Sequence, residues 1–144
     1  FVTYVGRKLD LRSAIAAKYR PEPEKARRQT VIGDLAAKRV AIVFDDMISS
    51  GGTLQAIVKK LVEDKGMEEV YVGASHNLCM PIAHERLLEL YEDYALRQVV
   101  VTNSIPQSQD FRELSFFKVR DLSDILTLVI NRIHYNRPVS ELLA

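Results

Sequence analysis

The chain has 144 residues, with 20 Lys and Arg against 19 Asp and Glu for a formal charge of +1, and 47% hydrophobic residues. That length suits one domain with a real core, and the mixture excludes a disordered chain, which combines low hydrophobicity with high net charge. The balanced charge lacks the basic excess that a nucleic-acid partner requires, and no apolar run reaches the roughly 20 residues that span a bilayer, so neither nucleic acid nor membrane is expected. The single cysteine, Cys79, cannot form an internal disulfide, so the expected location is cytoplasmic. The first residue is Phe rather than Met, and with the small size this leads to the expectation of a piece of a longer protein.

In chain order, a short helix is predicted over residues 1–8 and a strand over 13–17. Residues 18–29 form the long polar interval, where Lys18, Arg20, Lys25, Arg27 and Arg28 outnumber Glu22 and Glu24. Pro21 and Pro23 forbid a regular helix there, so the interval reads as a mobile basic loop between two strands. Residues 40–44 are an unbroken apolar run, the pattern of a strand covered on both faces, and it stops at Asp45-Asp46. Leu54, Ile57, Val58 and Leu61 then mark one face of a helix that Gly66 is placed to end in a left-handed conformation. Residues 70–74 read as a second buried strand. Pro81 opens the next helix, whose apolar face is Ala83, Leu87, Leu90, Tyr91 and Tyr94. Strands are predicted over 98–102 and 115–119. Asp121 caps a last helix with Leu122, Ile125, Leu126, Val129, Ile130 and Ile133 on one face. This alternation predicts an α/β fold with a mainly parallel sheet flanked by helices, as a single domain over 1–144.

In such a sheet ligands bind beyond the carboxyl ends of the strands. The polar cluster of the chain falls at one of them: Asp45, Asp46, Met47, Ile48, Ser49, Ser50, Gly51, Gly52 and Thr53. The two glycines let backbone N–H groups turn tightly toward a ligand, the start of the following helix forms an anion nest, and the hydroxyls of Ser49, Ser50 and Thr53 add donors. That half of the loop suits a phosphate. Asp45 and Asp46 would repel a phosphate, but they suit sugar hydroxyls or a magnesium ion. Together the two halves specify a phosphorylated sugar, with ribose the natural candidate; the plainer reading is that the acids end a strand and Ser-Gly-Gly turns it. No lysine follows the glycines as a Walker-type phosphate loop needs, and the dinucleotide fingerprint is absent.

The stretch Val43-Phe44-Asp45-Asp46-Met47-Ile48-Ser49-Ser50-Gly51-Gly52-Thr53-Leu54 resembles the phosphoribosyl-pyrophosphate motif of type I phosphoribosyltransferases. Within that group, Lys18-Tyr19-Arg20-Pro21, Val31-Ile32-Gly33-Asp34, Ala74-Ser75-His76, Val101-Thr102-Asn103-Ser104-Ile105-Pro106, Arg132-Ile133-His134 and Val139-Ser140-Glu141-Leu142 resemble segments of the ribose-phosphate pyrophosphokinases, in the same order along the chain. The resemblance implies a carboxyl-terminal half of a two-domain enzyme that transfers pyrophosphate from ATP to O1 of ribose 5-phosphate, with Mg2+ as cofactor. It implies that Asp45 and Asp46 hold the ribose hydroxyls, directly or through magnesium. Ser49, Ser50, Gly51, Gly52 and Thr53 would cradle the 5-phosphate, and Lys18 and Arg20 would close over the ATP phosphates as catalytic residues. It also implies a homo-oligomer or co-assembly with related subunits, and places the remaining ATP and magnesium ligands in the other half, so that this segment alone binds ribose 5-phosphate without completing the reaction. The chain departs from the family pattern at Ser49, often Asp, at Ser50, often Thr, and at Tyr19, where Arg is preferred. A base-using phosphoribosyltransferase of the orotate kind and a non-catalytic regulatory relative stay open as alternatives. His76, at a strand end, either faces the site or is a hydrogen-bonded structural residue. His84 and His134 read as structural or surface residues, and Cys79 as a small buried one.

Overall fold

The computed structural model describes residues 2–19, 28–33, 35 and 37–142. In chain order it contains α1 (Val2–Lys8), β1 (Ile15–Tyr19), β2 (Arg28–Ile32), β3 (Val40–Ile48), α2 (Gly52–Glu63), β4 (Glu69–Asn77), α3 (Pro81–Asp93), β5 (Leu96–Thr102), α4 (Gln109–Glu113), β6 (Phe117–Arg120), α5 (Ser123–His134) and a 3-10 turn at Val139–Leu142. The apolar runs become neighbouring strands of one parallel sheet in the order β3-β4-β5-β6, while β1 and β2 pair antiparallel as a separate ribbon. The α/β fold with a mainly parallel sheet is therefore the observed one.

Register and periodicity together place the core. Val43, Val72, Val99 and Phe117 stand side by side across the four strands. Against that row α2 lays Leu54, Ile57, Val58 and Leu61, and α3 lays Ala83, Leu87 and Leu90, all buried. These are the residues spaced three and four apart on each helix, and each fully buried Leu or Val contributes about 1.5–3 kcal/mol of transfer free energy. Pro81 occupies the first turn of α3, where no hydrogen-bond donor is needed. Gly66 ends the α2 segment at φ 66, donating to the Val62 carbonyl.

Several expectations are corrected. The strand predicted over 40–44 runs on through Asp45 and Asp46 to Ile48, because its ladder with β4 continues through Met47 opposite His76 and Ile48 opposite Asn77. The polar interval is shorter than predicted: Lys18 and Tyr19 belong to β1 and pair with Gln29 and Arg28 of β2, and residues 20–27, Arg20 among them, lie outside the described residues. The short helix α4, seated by the buried ring of Phe111, was not legible in the pattern. Both-face burial of β3 does not hold among the described residues, since Val40 and Ile42 are exposed on the face away from α2. The predicted apolar face of α5 is uncovered as well: none of its residues is buried, and Ile130 is 65% exposed.

The start of α5 is fixed from outside the helix. Asp121 Oδ1 accepts from the Ser123 amide at 2.7 Å, the Ser123 hydroxyl at 2.6 Å and Asn103 Nδ2 at 2.9 Å. Asn103 Oδ1 in turn accepts from the Leu122 amide at 3.0 Å. These bonds, led by the Ser123 hydroxyl, hold the Asp121 carboxyl below its ordinary value. The expected cap is displaced by one residue: the N-cap is Leu122, which makes no side-chain cap bond, and Asp121 reaches the first helical amide from the position before it.

Gly66 offers a clean test of the helix ending, because a Cβ there would meet nothing within 4 Å and any loss comes from the backbone alone. Gly66→Ala is expected to lower stability by about 1 kcal/mol and Gly66→Asn by less. The readout is the urea midpoint at unchanged slope, and equal midpoints for all three proteins would remove the left-handed ending as a constraint.

Candidate functional site

The parallel sheet delivers its polar strand ends to one edge. There β3 carries Asp45 and Asp46, β4 carries Ser75, His76 and Asn77, and β5 ends at Thr102. Residues 49–51 turn the chain into α2, and Asp45, with Met47 through Leu54, lines a small concavity. Of the loop residues predicted for the phosphate and sugar, Asp45 and Ser49 to Thr53 line this concavity and Asp46 does not. Asp45 is half-buried and Asp46 is exposed, with the Asp46 amide donating to Asp45 Oδ1 at 2.9 Å.

The amino terminus of α2 is bare. Gly51 stands at its N-cap at φ 74, no side chain caps it, and its first turn holds no acid. The first helical bond runs from the Gln55 amide to the Gly51 carbonyl at 2.9 Å, which leaves the N–H groups of Gly52, Thr53 and Leu54 without side-chain caps. With the helix dipole behind them, these groups attract an anion.

Behind the loop lies α3. A Cβ on Gly51 would come 3.5 Å from Ala83 Cα, and one on Gly52 would come 3.1 Å from Arg86 Nη1. Arg86 Nη1 donates to the Ser50 carbonyl at 2.8 Å. One turn further, Glu89 accepts from Gln55 Nε2 at 2.6 Å and pairs with Lys59, whose ammonium stands 4.8 Å from the centre of the Tyr94 ring. The Lys59 hydrogen bond holds the Glu89 carboxyl low, and the Glu89 hydrogen bond raises Lys59 above its ordinary value. Neither Arg86 nor Glu89 was singled out in the sequence. Their partners lie 36, 34 and 30 residues away, beyond any local spacing.

The neighbouring strand ends are tied by hydroxyls. Thr102 Oγ1 donates to the Ser75 carbonyl at 2.6 Å, Ser104 Oγ donates to the same carbonyl at 3.1 Å, and His76 Nδ1 lies 2.7 Å from Ser104 Oγ. His76 is therefore at the predicted edge and hydrogen-bonded there. Asn77, fully buried, donates to Gln107 Oε1 at 2.7 Å, a pairing the sequence did not signal. Cys79, expected as a small buried residue, is half-buried at φ 53, packs against the core and donates to Gln107 Oε1 at 3.2 Å. His84 packs edge-on against Phe111 at 5.3 Å and His134 against Tyr135 at 4.8 Å, both structural contacts. Of the two residues assigned to the basic loop, Lys18 has its backbone in β1 and Arg20 lies outside the described residues. Among the described residues no group of three His, Cys, Asp or Glu could hold a metal ion, and no helix is long and apolar enough to cross a membrane.

The fold agrees with what the chain is similar to. Residues 10–144 match the family model described as phosphoribosyl synthetase-associated domain. The chain belongs to the phosphoribosyl pyrophosphate synthetase family. It is 34% identical over 139 residues to the ribose-phosphate pyrophosphokinase of Caldanaerobacter subterraneus subsp. tengcongensis, a match covering 96% of this chain and 42% of that protein. It is 32% identical over 142 residues to ribose-phosphate pyrophosphokinase 2 of Schizosaccharomyces pombe, covering 99% of this chain and 42% of that protein. Phosphoribosylpyrophosphate synthetase from Mycobacterium smegmatis has a similar structure, with a TM-score of 0.72 and 27% identity, over 94% of this chain and 42% of the other. The chain thus spans less than half the length of the family members it matches.

The Glu89–Lys59 pair behind the loop carries a pH signature. Because the folded Glu89 value lies below the ordinary 4.5, its contribution is present above that value and is lost as pH falls through the lowered one. Lys59, raised above 10.5, works in the opposite sense: its contribution is present below that value and lost at higher pH. Glu89→Gln is expected to flatten the acid limb of the unfolding-midpoint profile. Superimposable acid limbs for the two proteins would show that the pair does not hold α2 to α3.

Proposed function

We propose that the chain is the ribose 5-phosphate-binding, carboxyl-terminal half of a ribose-phosphate pyrophosphokinase, which converts ribose 5-phosphate and ATP to phosphoribosyl pyrophosphate and AMP. The observation that carries this reading is the uncapped start of α2, with its Ser49–Thr53 turn, set beside Asp45 in one concavity, with Asp46 next to it along β3, in a chain of this family. The N–H groups of the turn and the hydroxyls of Ser49, Ser50 and Thr53 hold the 5-phosphate. The carboxylates of Asp45 and Asp46 accept hydrogen bonds from the ribose 2- and 3-hydroxyls and set the face on which O1 is presented.

Magnesium fits this donor set. Mg2+ keeps several waters and binds through one or two carboxylates plus substrate phosphates rather than in an all-protein cage. Asp45 and Asp46 are such a pair, and the described residues offer no larger cluster. When bound, the ion supplies neutralising charge to the transferred phosphates. In the reaction O1 of the ribose forms a bond to the β-phosphorus of ATP, the bond from that phosphorus to the bridging oxygen of AMP breaks, and O1 loses its proton. Lys18 and Arg20 are assigned by resemblance to the ATP phosphates, where their charge stabilises that transfer. The ATP site and the further metal ligands are assigned to the part of the family's length that this chain does not span. Self-association or co-assembly with related subunits completes the proposal.

Titration calorimetry with ribose 5-phosphate tests the site. The chain is expected to bind it, and the Asp45→Ala/Asp46→Ala variant to bind about tenfold or more weakly, as loss of charge-assisted hydrogen bonds implies. Equal affinities would sink the assignment of the two acids. Ser49 favours a second reading, a regulatory relative that binds the sugar phosphate without turnover, because a hydroxyl replaces the carboxylate frequent at that position. ATP-dependent formation of phosphoribosyl pyrophosphate by the full-length protein separates the two readings: turnover supports the enzyme, and binding without turnover supports the relative.

A further inference from the structure

The Ser50–Gly51 peptide is planar and trans, so its carbonyl and its N–H point in opposite directions. Arg86 Nη1 holds the carbonyl of that peptide at 2.8 Å, on the side of α3. The Gly51 N–H is thereby turned away from Arg86, and Gly51 is one of the residues lining the concavity. Glycine on both sides of the next peptide gives this turn unusual freedom, with Gly51 at φ 74, and a flipped peptide would aim an oxygen rather than a donor at an incoming phosphate.

The geometry points to Arg86 as a positioning residue for the phosphate-binding turn: from behind, through the Ser50 carbonyl, it holds the Gly51 N–H in the orientation that accepts an anion. This rests on the reading of the turn as the 5-phosphate site and adds a residue that acts through the backbone. Three features make Arg86 suited to it. Its place on α3 is fixed, because Ala83, Leu87 and Leu90 of the same helix are buried in the core. The neighbouring carboxylate that would otherwise compete for its guanidinium, Glu89, is engaged by Gln55 and Lys59. Gly52 leaves the space that the guanidinium fills, since a Cβ there would stand 3.1 Å from Nη1. Arginine also differs from lysine here: a planar fork keeps its direction, whereas an ammonium on a flexible stem is a point charge.

The test follows the Gly51 amide by NMR in the unliganded full chain, together with calorimetric titration of ribose 5-phosphate, for wild type, Arg86→Ala, Arg86→Lys and Gly52→Ala. Arg86→Ala is expected to shift or broaden the Gly51 amide before any ligand is added, to bind ribose 5-phosphate about tenfold more weakly, and to keep the wild-type circular dichroism. Arg86→Lys is expected to restore only part of the affinity. Gly52→Ala, which leaves Arg86 in place but crowds its guanidinium, is expected to move the same amide. An unchanged Gly51 amide in Arg86→Ala overturns the positioning role whatever the affinity, and so does unchanged affinity. Full rescue by lysine overturns it too, in favour of charge alone. Absence of ribose 5-phosphate binding by the wild type refutes the phosphate reading instead, and the unliganded amide still decides whether Arg86 orients the turn.

Discussion

A backbone that offers its N–H groups to an anion has to be turned, held and left bare, and all three conditions meet where Gly51 and Gly52 lie against α3. The approach is close enough that a side chain on either would meet Ala83 or Arg86. It is possible because Ala83 is small, and it is reproducible because α3 cannot rotate without withdrawing Leu87 and Leu90 from the core. The site therefore borrows its precision from hydrophobic burial. Sheet register fixes where β3 ends, α3 fixes where the turn rests, and the bare start of α2 faces the space between them.

The parts of this arrangement that were legible in the sequence are those written in local spacing. Unbroken apolar runs marked three parallel strands, and the three–four spacing marked the buried faces of α2 and α3. The Asp-Asp and Ser-Ser-Gly-Gly-Thr run marked the turn. What could not be read was set by partners far along the chain. The continuation of β3 through Asp45 and Asp46 depends on ladder bonds to β4, which override the tendency of paired acids to end a strand. The hold of Arg86 on the Ser50 carbonyl and the buried Asn77–Gln107 pair join residues 36 and 30 positions apart.

The uncovered apolar surfaces mark where the pattern was right about chemistry and silent about geometry. α5 has an apolar stripe as well formed as that of α2, yet none of its residues is buried, and it packs chiefly on the following 3-10 turn. A short helix gains most of its stability from burying such a stripe. The outward face of β3, with Val40 and Ile42, is open in the same way, although parallel sheets are ordinarily covered on both sides. Exposed apolar area of this extent is characteristic of contact surfaces. The two relatives named above carry more than twice this length of chain.

The electrostatics of the proposed ligand explain why the loop needs support from behind. A sugar phosphate brings a charged end and a neutral, hydroxyl-rich body, and one short turn has to attract the first while placing two carboxylates beside the second. Unit charges about 8 Å apart at an effective dielectric constant near 20 interact by roughly 2 kcal/mol, so in the proposed complex Asp45 and Asp46 would oppose the phosphate. Backbone N–H groups offset that repulsion only when they point at the phosphate, because a peptide dipole changes sign when it flips. A guanidinium fixed behind the turn keeps the dipoles aligned and adds positive charge of its own without occupying the ligand's place. The proposed site is thus a divided one: carboxylates for hydroxyls on one side of a turn, oriented amides for phosphate on the other, and Arg86 bonded to the Ser50 carbonyl behind them.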